Sequence, residues 1–444
     1  MEHHAQSVED ALIGGLSYKL KPGASYVTNR RSVSYFASGG NQYSPTGVKV
    51  MKFNLTGDQW MDPSTFRVMF LLNNLGNPNA GLADARFVKP LHWNPAAFFR
   101  RARLIAGGQV IEDIDNFNRL SLMLTALLPE EQQLEIATEG FGSFDEKNDR
   151  TGDTEGNQDA DERKEYRESD FNESGVVKRA RRVLFKPMLG MFNQEKLIPL
   201  RYCPIQIELE LVNNLADPVW IGTKGWPFEA NWDITDIQCK CDLLTLDNSL
   251  ENEYASHLLS GKTLPINFSS WNHTNQATNN DSDFSVHVNR ALTRLKNVFV
   301  TLHHNDTADY KEVNSFYHPM GSSMSQDYNF SLEHQVWVQI GSKLLPEYPI
   351  NGISEAYYQL RKAVGIPFHI MNRWYRTRRY IVGLDCEKIS GAGFTGMNTK
   401  AGDLLIVNFR NCGTTDANRP KRINCALNYD AVLNIRDQGI ELLD

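Results

Sequence analysis

The sequence has little of what marks a membrane-spanning, secreted or nucleic-acid-wrapping protein. Its most apolar stretches are only strand-sized, far short of the roughly 18 residues a spanning helix needs. The first fifteen residues, MEHHAQSVEDALIGG, hold no basic region and no apolar run, so no secretory leader is expected. Without one, the sequons at Asn54, Asn172, Asn267, Asn272, Asn280, Asn305 and Asn329 read as chance products of an Asn-, Ser- and Thr-rich chain. Cysteine is scarce: Cys203, Cys239, Cys241, Cys386, Cys412 and Cys425 in 444 residues, with no framework spacing. They read as reduced thiols. Cys239 and Cys241 share one strand face, but a zinc site would need two further ligands in space. Positive charge is also short. With 46 Lys and Arg against 53 Asp and Glu the formal charge is −7, whereas a protein that coats a polyanion with its own surface should be basic. There is no phosphate-binding loop, no Gly-x-Ser-x-Gly elbow and no His-Glu-x-x-His pair. No enzyme, no cofactor and no resident metal is therefore expected.

What is present is β texture. Strand patterns run over residues 48–55, 65–72, 102–114, 205–212 and 232–244, then 284–288, 295–303, 328–340, 380–387, 403–410 and 426–436. They are rich in β-branched and aromatic residues and are separated by Gly, Pro, Asn and Asp clusters. Helical spacing is confined to 116–137, with Pro129 as a break, and to 354–364. Strands are not regularly interleaved with helices, which disfavours a parallel α/β sheet. A chain of 444 residues is too long for one core.

The two helical segments arise in the same setting. Each follows a hairpin with a glycine turn, Leu104-Ile-Ala-Gly-Gly-Gln-Val-Ile-Glu-Asp-Ile and Val336-Trp-Val-Gln-Ile-Gly-Ser-Lys-Leu-Leu-Pro. Aligning Gly107 with Gly341 gives 341 − 107 = 234. The strand starting at Arg67 resembles that at Asn297, about 230 residues on, and Ile234–Asp242 resembles Leu427–Ile435 at an offset of 193. The second repeat is thus shorter by about 234 − 193 = 41 residues. The 38-residue tract Glu139–Val176 accounts for that difference. It holds 13 acidic and 5 basic residues, a net −8, and reads as a surface loop inserted in the first repeat. The organisation expected is an irregular N-terminal arm, 1–45, a first all-β sandwich or jelly roll, 46–247, and a second, 253–444.

Several clusters combine residue types that can carry chemistry. Glu112, Asp113 and Asp115 are acidic neighbours, but Glu112 and Asp113 point to opposite faces of a strand, and Asp115 or Asn116 suits a helix N-cap. His303 and His304 with Asp306 and Asp309 sit at a strand end, where adjacent histidines also diverge. Lys178, Arg179, Arg181 and Arg182 follow the acidic tract and read as local charge compensation. Arg373, Trp374, Tyr375, Arg376, Arg378 and Arg379 interleave cations with rings. That pattern suits a contact between subunits better than a solvated face or a nucleic-acid groove.

The runs Tyr26-Val-Thr-Asn-Arg-Arg-Ser-Val-Ser-Tyr, Ser38-Gly-Gly-Asn-Gln-Tyr-Ser-Pro, Asp62-Pro-Ser-Thr-Phe-Arg-Val-Met-Phe and Phe98-Phe-Arg-Arg-Ala-Arg-Leu-Ile-Ala-Gly-Gly-Gln-Val-Ile-Glu-Asp-Ile resemble the double jelly-roll major capsid proteins of eukaryotic double-stranded DNA viruses. Those of polinton-like viruses are nearest, with virophages and large DNA viruses more distant. The resemblance is clearest over residues 20–125. It implies an all-β fold of two tandem jelly-roll β-sandwiches with short flanking helices. It also implies a homotrimer forming a pseudo-hexameric capsomer that tiles an icosahedral shell assembled inside the host cell. Neighbouring capsomers and minor or penton capsid proteins would be the partners, with an internal membrane or the genome at the inner face and no small-molecule substrate. No catalytic residue comes with it. Two other classes fit an all-β chain. One is a carbohydrate-binding sandwich such as a viral fibre or lectin, with Trp220, Trp226 and Trp271 stacking on sugars. The other is a sandwich hydrolase using carboxylates such as Asp115.

Overall fold

The structure is a computed structural model. It describes residues 27–75, 89–90, 94–141, 172–173, 176–177, 180–215, 217–220, 231–279, 281–303, 334–365, 370, 375, 379–389, 393–400, 404–413, 419–437 and 439–444. In the first half the main strands are β1 (Val27–Phe36), β2 (Val50–Leu55), β3 (Trp60–Asn74), β4 (Phe99–Ala106), β5 (Gln109–Asp115), β6 (Ala180–Phe185), β7 (Ile205–Leu211) and β8 (Trp232–Leu246). Helices α1 (Phe117–Ala126) and α2 (Glu130–Glu139) follow β5, and α3 (Asn248–Leu259) follows β8. The second half holds β9 (Leu264–Ala277), β10 (Phe284–Val288), β11 (Leu295–His303), β12 (Gln335–Ile340), β13 (Lys343–Asn351), α4 (Gly352–Val364), β14 (Ile381–Asp385), β15 (Leu405–Arg410), β16 (Arg422–Arg436) and β17 (Gly439–Leu443).

The pairing repeats with a shift of eight strands. The first half has one sheet in the order β1-β8-β3-β6 and another in the order β2-β7-β4-β5; the second half has β9-β16-β11-β14 and β10-β15-β12-β13, with β17 added to β16. All these pairings are antiparallel. Two facing four-stranded sheets with this strand order are a jelly roll, and the chain contains two in tandem. Alternation explains the layers: β2 reads Val-Met-Lys-Phe-Asn-Leu and buries every second residue. Phe66, Phe70, Phe99 and Trp232 fill the first sandwich; Val298, Val336, Val407 and Phe409 fill the second. Each such side chain contributes on the order of 1.5–3 kcal/mol by leaving water.

The hairpin β4–β5 turns at Gly107, φ 51°, and β12–β13 turns at Gly341, φ 60°, both left-handed positions that glycine occupies without strain. A helix follows each hairpin, and its inward residues correspond: Phe117 and Leu120 in α1, Ile353, Ala356 and Leu360 in α4. Asn116 does stand at the α1 N-cap, but with φ 53° and no side-chain cap bond. Pro129 separates α1 from α2, as its missing N–H dictates.

Three sequence readings are corrected. The arm assigned to 1–45 is not irregular throughout, because Val27–Phe36 pairs along nine positions with β8. Its Arg30, Arg31 and three serines and threonines hid a strand whose outer face is wet. The second unit was started at residue 253, but 253 lies inside α3, which bridges the rolls. Asp247 caps that helix, accepting from the Ser249 N–H at 3.2 Å, and Trp60 and Tyr254 hold it at a ring distance of 4.9 Å. The tract Glu139–Val176 falls almost wholly outside the described residues; its first residues do not, since α2 runs through Glu139 and Phe141 is buried. No helix among the described residues is long and apolar enough to cross a membrane.

Candidate functional site

The two rolls meet along a seam. Strand β5 and the turn Gly190–Phe192 of the first roll lie against β9 of the second. Strand alternation sends Asp113 outward to Arg101 at 2.6 Å and turns Glu112 inward. The Glu112 carboxylate is fully buried and accepts three hydrogen bonds: from the Gly190 N–H at 2.9 Å, the Met191 N–H at 3.0 Å and the Ser270 hydroxyl at 2.6 Å. Ser270 belongs to β9, so one carboxylate ties both rolls together. Burial pushes the Glu112 carboxyl above its ordinary value, opposed by its three donors, Ser270 first.

Gly190 approaches β9 so closely that an added Cβ would stand 2.0 Å from the Ser269 carbonyl oxygen. Neither backbone can yield without separating the rolls. Gly190→Ala is expected to cost about 3 kcal/mol or more by overpacking, read as a lowered urea midpoint; an unchanged midpoint would mean that the seam is not this close in solution.

Further along, Arg119 of α1 pairs with Asp217 at 2.6 Å, and Asn118 donates to the same carboxylate at 3.1 Å. The Arg119 charge reaches His273 of β9, which is buried; burial first, and that charge second, hold the imidazole down at about 3. Lys196 donates to the Pro265 carbonyl at 2.7 Å, and Ile440 of β17 packs against Gly107.

Among the described residues the matching elements at the other ends of the repeat have no such cover. Strand β13, which stands to the second roll as β5 stands to the first, exposes Leu344 and Tyr348, and α4 beside it exposes Tyr358. Strand β1, the counterpart of β9, exposes Val27 and Phe36. Tyr348 and Tyr358 are each 60 % exposed and Phe36 is 66 % exposed, large values for aromatic side chains.

The outer face of the sheet β2-β7-β4-β5 is striped with charge. Lys52, Glu208, Arg103 and Asp113 form one row across its four strands, and Val50, Glu210, Arg101 and Asp115 the next. Lys52 meets Glu208 at 2.8 Å, Arg103 meets Glu208 at 3.1 Å, and Arg100 meets Glu210 at 3.0 Å. The hydrogen bond from Lys52, with further help from Arg103, keeps the Glu208 carboxyl below the usual range.

Of the proposed contact residues, Arg373, Trp374, Arg376 and Arg378 lie outside the described residues. Tyr375 is 3 % exposed, donates its hydroxyl to the Ile381 carbonyl at 3.0 Å and packs on Tyr357 and Tyr380. It is a core residue of the second roll rather than a subunit contact, because α4 closes over it. Arg379 is half-buried. His303 is buried; His304, Asp306 and Asp309 lie outside the described residues, as do Lys178 and Arg179, while Arg182 pairs with Asp236 at 2.6 Å. Asp115 is paired with Arg100 at 3.7 Å and shares no proton site with Glu112. Trp271 is half-buried against Phe299 and offers no open stacking face; the Trp220 side chain and Trp226 lie outside the described residues. All six cysteines are free and buried, and burial lifts the thiols of Cys203, Cys241, Cys386 and Cys425 to about 12. Among the described residues no three His, Cys, Asp or Glu side chains gather as a metal site. Sequence reasoning missed Ser270, Gly190 and His273. Of these only the Gly190 backbone could have given a signal, as a lone glycine after a strand.

No protein-family model and no curated protein sequence matches the chain. Solved structures do. A chain of the Sputnik virophage structure aligns with TM-score 0.61 at 10 % identity, covering 96 % of this chain and 90 % of that one. A chain of the PBCV-1 virus capsid aligns with TM-score 0.55 at 14 % identity, covering 96 % and 99 %. The major capsid protein of Faustovirus aligns with TM-score 0.53 at 8 % identity, covering 96 % and 92 %. At these identities the likeness is one of fold: this chain has the double jelly-roll fold along its length.

Proposed function

We propose that the protein is a major capsid protein whose functional unit is a closed homotrimer, a six-roll tile of a virion shell. The observation that carries this reading is the pair of unmatched ends. Within the chain β5 of one roll is seated on β9 of the next, whereas the equivalent β13 and β1 are left exposed with Tyr348, Tyr358 and Phe36 on them. Seating β13 of one copy beside β1 of another repeats the internal seam between chains. The contact is heterologous, and such contacts generate rings when the rotation closes. Three copies give six rolls joined by three internal and three external seams. The proposed role needs no catalytic group. Tiles of this kind would then meet neighbouring tiles and the shell's minor components around the genome.

The test is native mass on purified protein, where a trimer of 50.4 kDa chains is expected. Tyr348→Asp combined with Tyr358→Asp should convert the trimer to folded monomer, because two aromatic anchors of an interface each contribute about 2 kcal/mol or more. A wild-type protein that remains monomeric at high concentration would overturn the reading.

A further inference from the structure

We propose that the striped outer face of the first roll, on sheet β2-β7-β4-β5, is the surface by which two trimers join, face to face, about a two-fold axis running parallel to its strands. This rests on the trimer reading above. Across the sheet the columns alternate in sign: Lys52 on β2, Glu208 and Glu210 on β7, Arg101 and Arg103 on β4, Asp113 and Asp115 on β5. The face is part-exposed, with side-chain exposures of 50 % for Lys52, 34 % for Arg103 and 32 % for Asp113, while Glu208, at 11 %, lies lower between Lys52 and Arg103. A two-fold axis along the strands reverses the column order and leaves each row at its own height. Lys52 then stands opposite Asp113 of the other copy, and Glu208 opposite its Arg103; Glu210 likewise meets Arg101. A two-fold axis across the strands would set each column on its own sign instead. The stripe therefore admits one isologous pairing and opposes the other, which is the way charge patterns select partners and register.

The corresponding sheet of the second roll has no such stripe. Its outward positions on β12 and β15 carry Trp337, Gln339, Asn408 and Arg410, with the Arg410 guanidinium 5.0 Å from the Trp337 ring centre. Two trimers thus have a reason to meet first roll to first roll.

The experiment uses the intact chain at low salt with a zero-length carbodiimide, which joins an amine only to a carboxylate it already touches. Within one chain Lys52 and Asp113 are three strand spacings apart, about 14 Å, so inside it the Lys52 amine reaches Glu208, at 2.8 Å, and not Asp113. Native mass first establishes the trimer; its absence counts against the trimer, and the face is judged only on trimers. Concentrated trimers are expected to associate further and to yield a Lys52–Asp113 link between chains. A variant carrying Lys52→Glu and Arg103→Glu, and another carrying Glu208→Lys and Asp113→Lys, should each associate about tenfold more weakly, and their equimolar mixture should recover wild-type association. Trimers that do not associate, or associate without that link, or a mixture no better than its parts, would overturn the proposal. Should either variant fail to fold, the link in the wild-type chain decides alone.

Discussion

Glu112→Ala is expected to destabilise the protein by about 3–5 kcal/mol, the range for removing the acceptor from buried donors. The substitution leaves the N–H groups of Gly190 and Met191 and the Ser270 hydroxyl facing a cavity, and it removes the carboxylate that joins β5 to β9. Urea unfolding at neutral pH reads the effect. Glu112→Gln should lose less, since its remaining oxygen still accepts, but its NH2 group must point at one of the three donors. An alanine variant within about 1 kcal/mol of wild type would show that the rolls are held together elsewhere and that the carboxylate is incidental.

Acidification below pH 6.5 is expected to weaken the protein strongly. His273 and His334 are both buried, and burial holds them at about 3 and about 4 against 6.5 for an ordinary imidazole. These folded values are depressed, so between 6.5 and about 4 the unfolded chain takes up protons that the native one refuses. The stability they confer is full above 6.5 and lost as the pH falls through that window. At about 1.4 kcal/mol per unit for each group, the two together should remove about 4 kcal/mol between pH 7 and pH 5. His273 has the Arg119 cation nearby, and His334 has the Tyr380 hydroxyl at its Nε2. Glu112 acts in the opposite sense: its raised folded value makes native stability fall as the pH rises above the ordinary carboxylate range. The measurement is urea unfolding at pH 7, 6 and 5, with His273→Gln expected to remove about half of the slope. A flat profile would refute the buried-neutral assignment.

The parts of the fold that could be read from residues are those whose strands have one wet face and one dry face. Residues 205–211 and 50–55 alternate cleanly and lie within a residue or two of where they were expected. The hairpin glycines marked equivalent points in the two rolls because a left-handed turn has few substitutes. What was missed shares one cause. Strand β9 reads Leu-Pro-Ile-Asn-Phe-Ser-Ser-Trp-Asn-His-Thr-Asn-Gln-Ala, and the first roll covers it around Phe268, Ser269 and Ser270. Ser270 is fully buried and His273 nearly so, yet both look like surface residues in a sequence. The strand alternates at its start, where Pro265 and Asn267 are exposed beside Ile266 and Phe268, but from Ser270 onward its buried positions include polar residues and the apolar period is lost. The seam was illegible for the same reason: it depends on long-range partners, Glu112 with Ser270 across 158 positions, and not on any local motif. Tyr375 shows the reverse error. An aromatic among arginines looks like surface, but α4 and Tyr380 close over it.

Helix α3, held by Asp247 at its start and by Trp60 and Tyr254 on its flank, has a kinetic consequence for assembly. It makes half of the six seams in the proposed ring unimolecular. Two rolls on one short tether face each other at an effective concentration in the millimolar range, so the Glu112 seam closes at any dilution. The seams between β13 and β1 remain bimolecular and respond to how much chain has accumulated. A six-body encounter becomes a three-body one, and the two kinds of roll are bound to alternate around the ring. Chains could therefore persist as finished half-seamed units at low abundance and convert to tiles only once synthesis has raised their concentration.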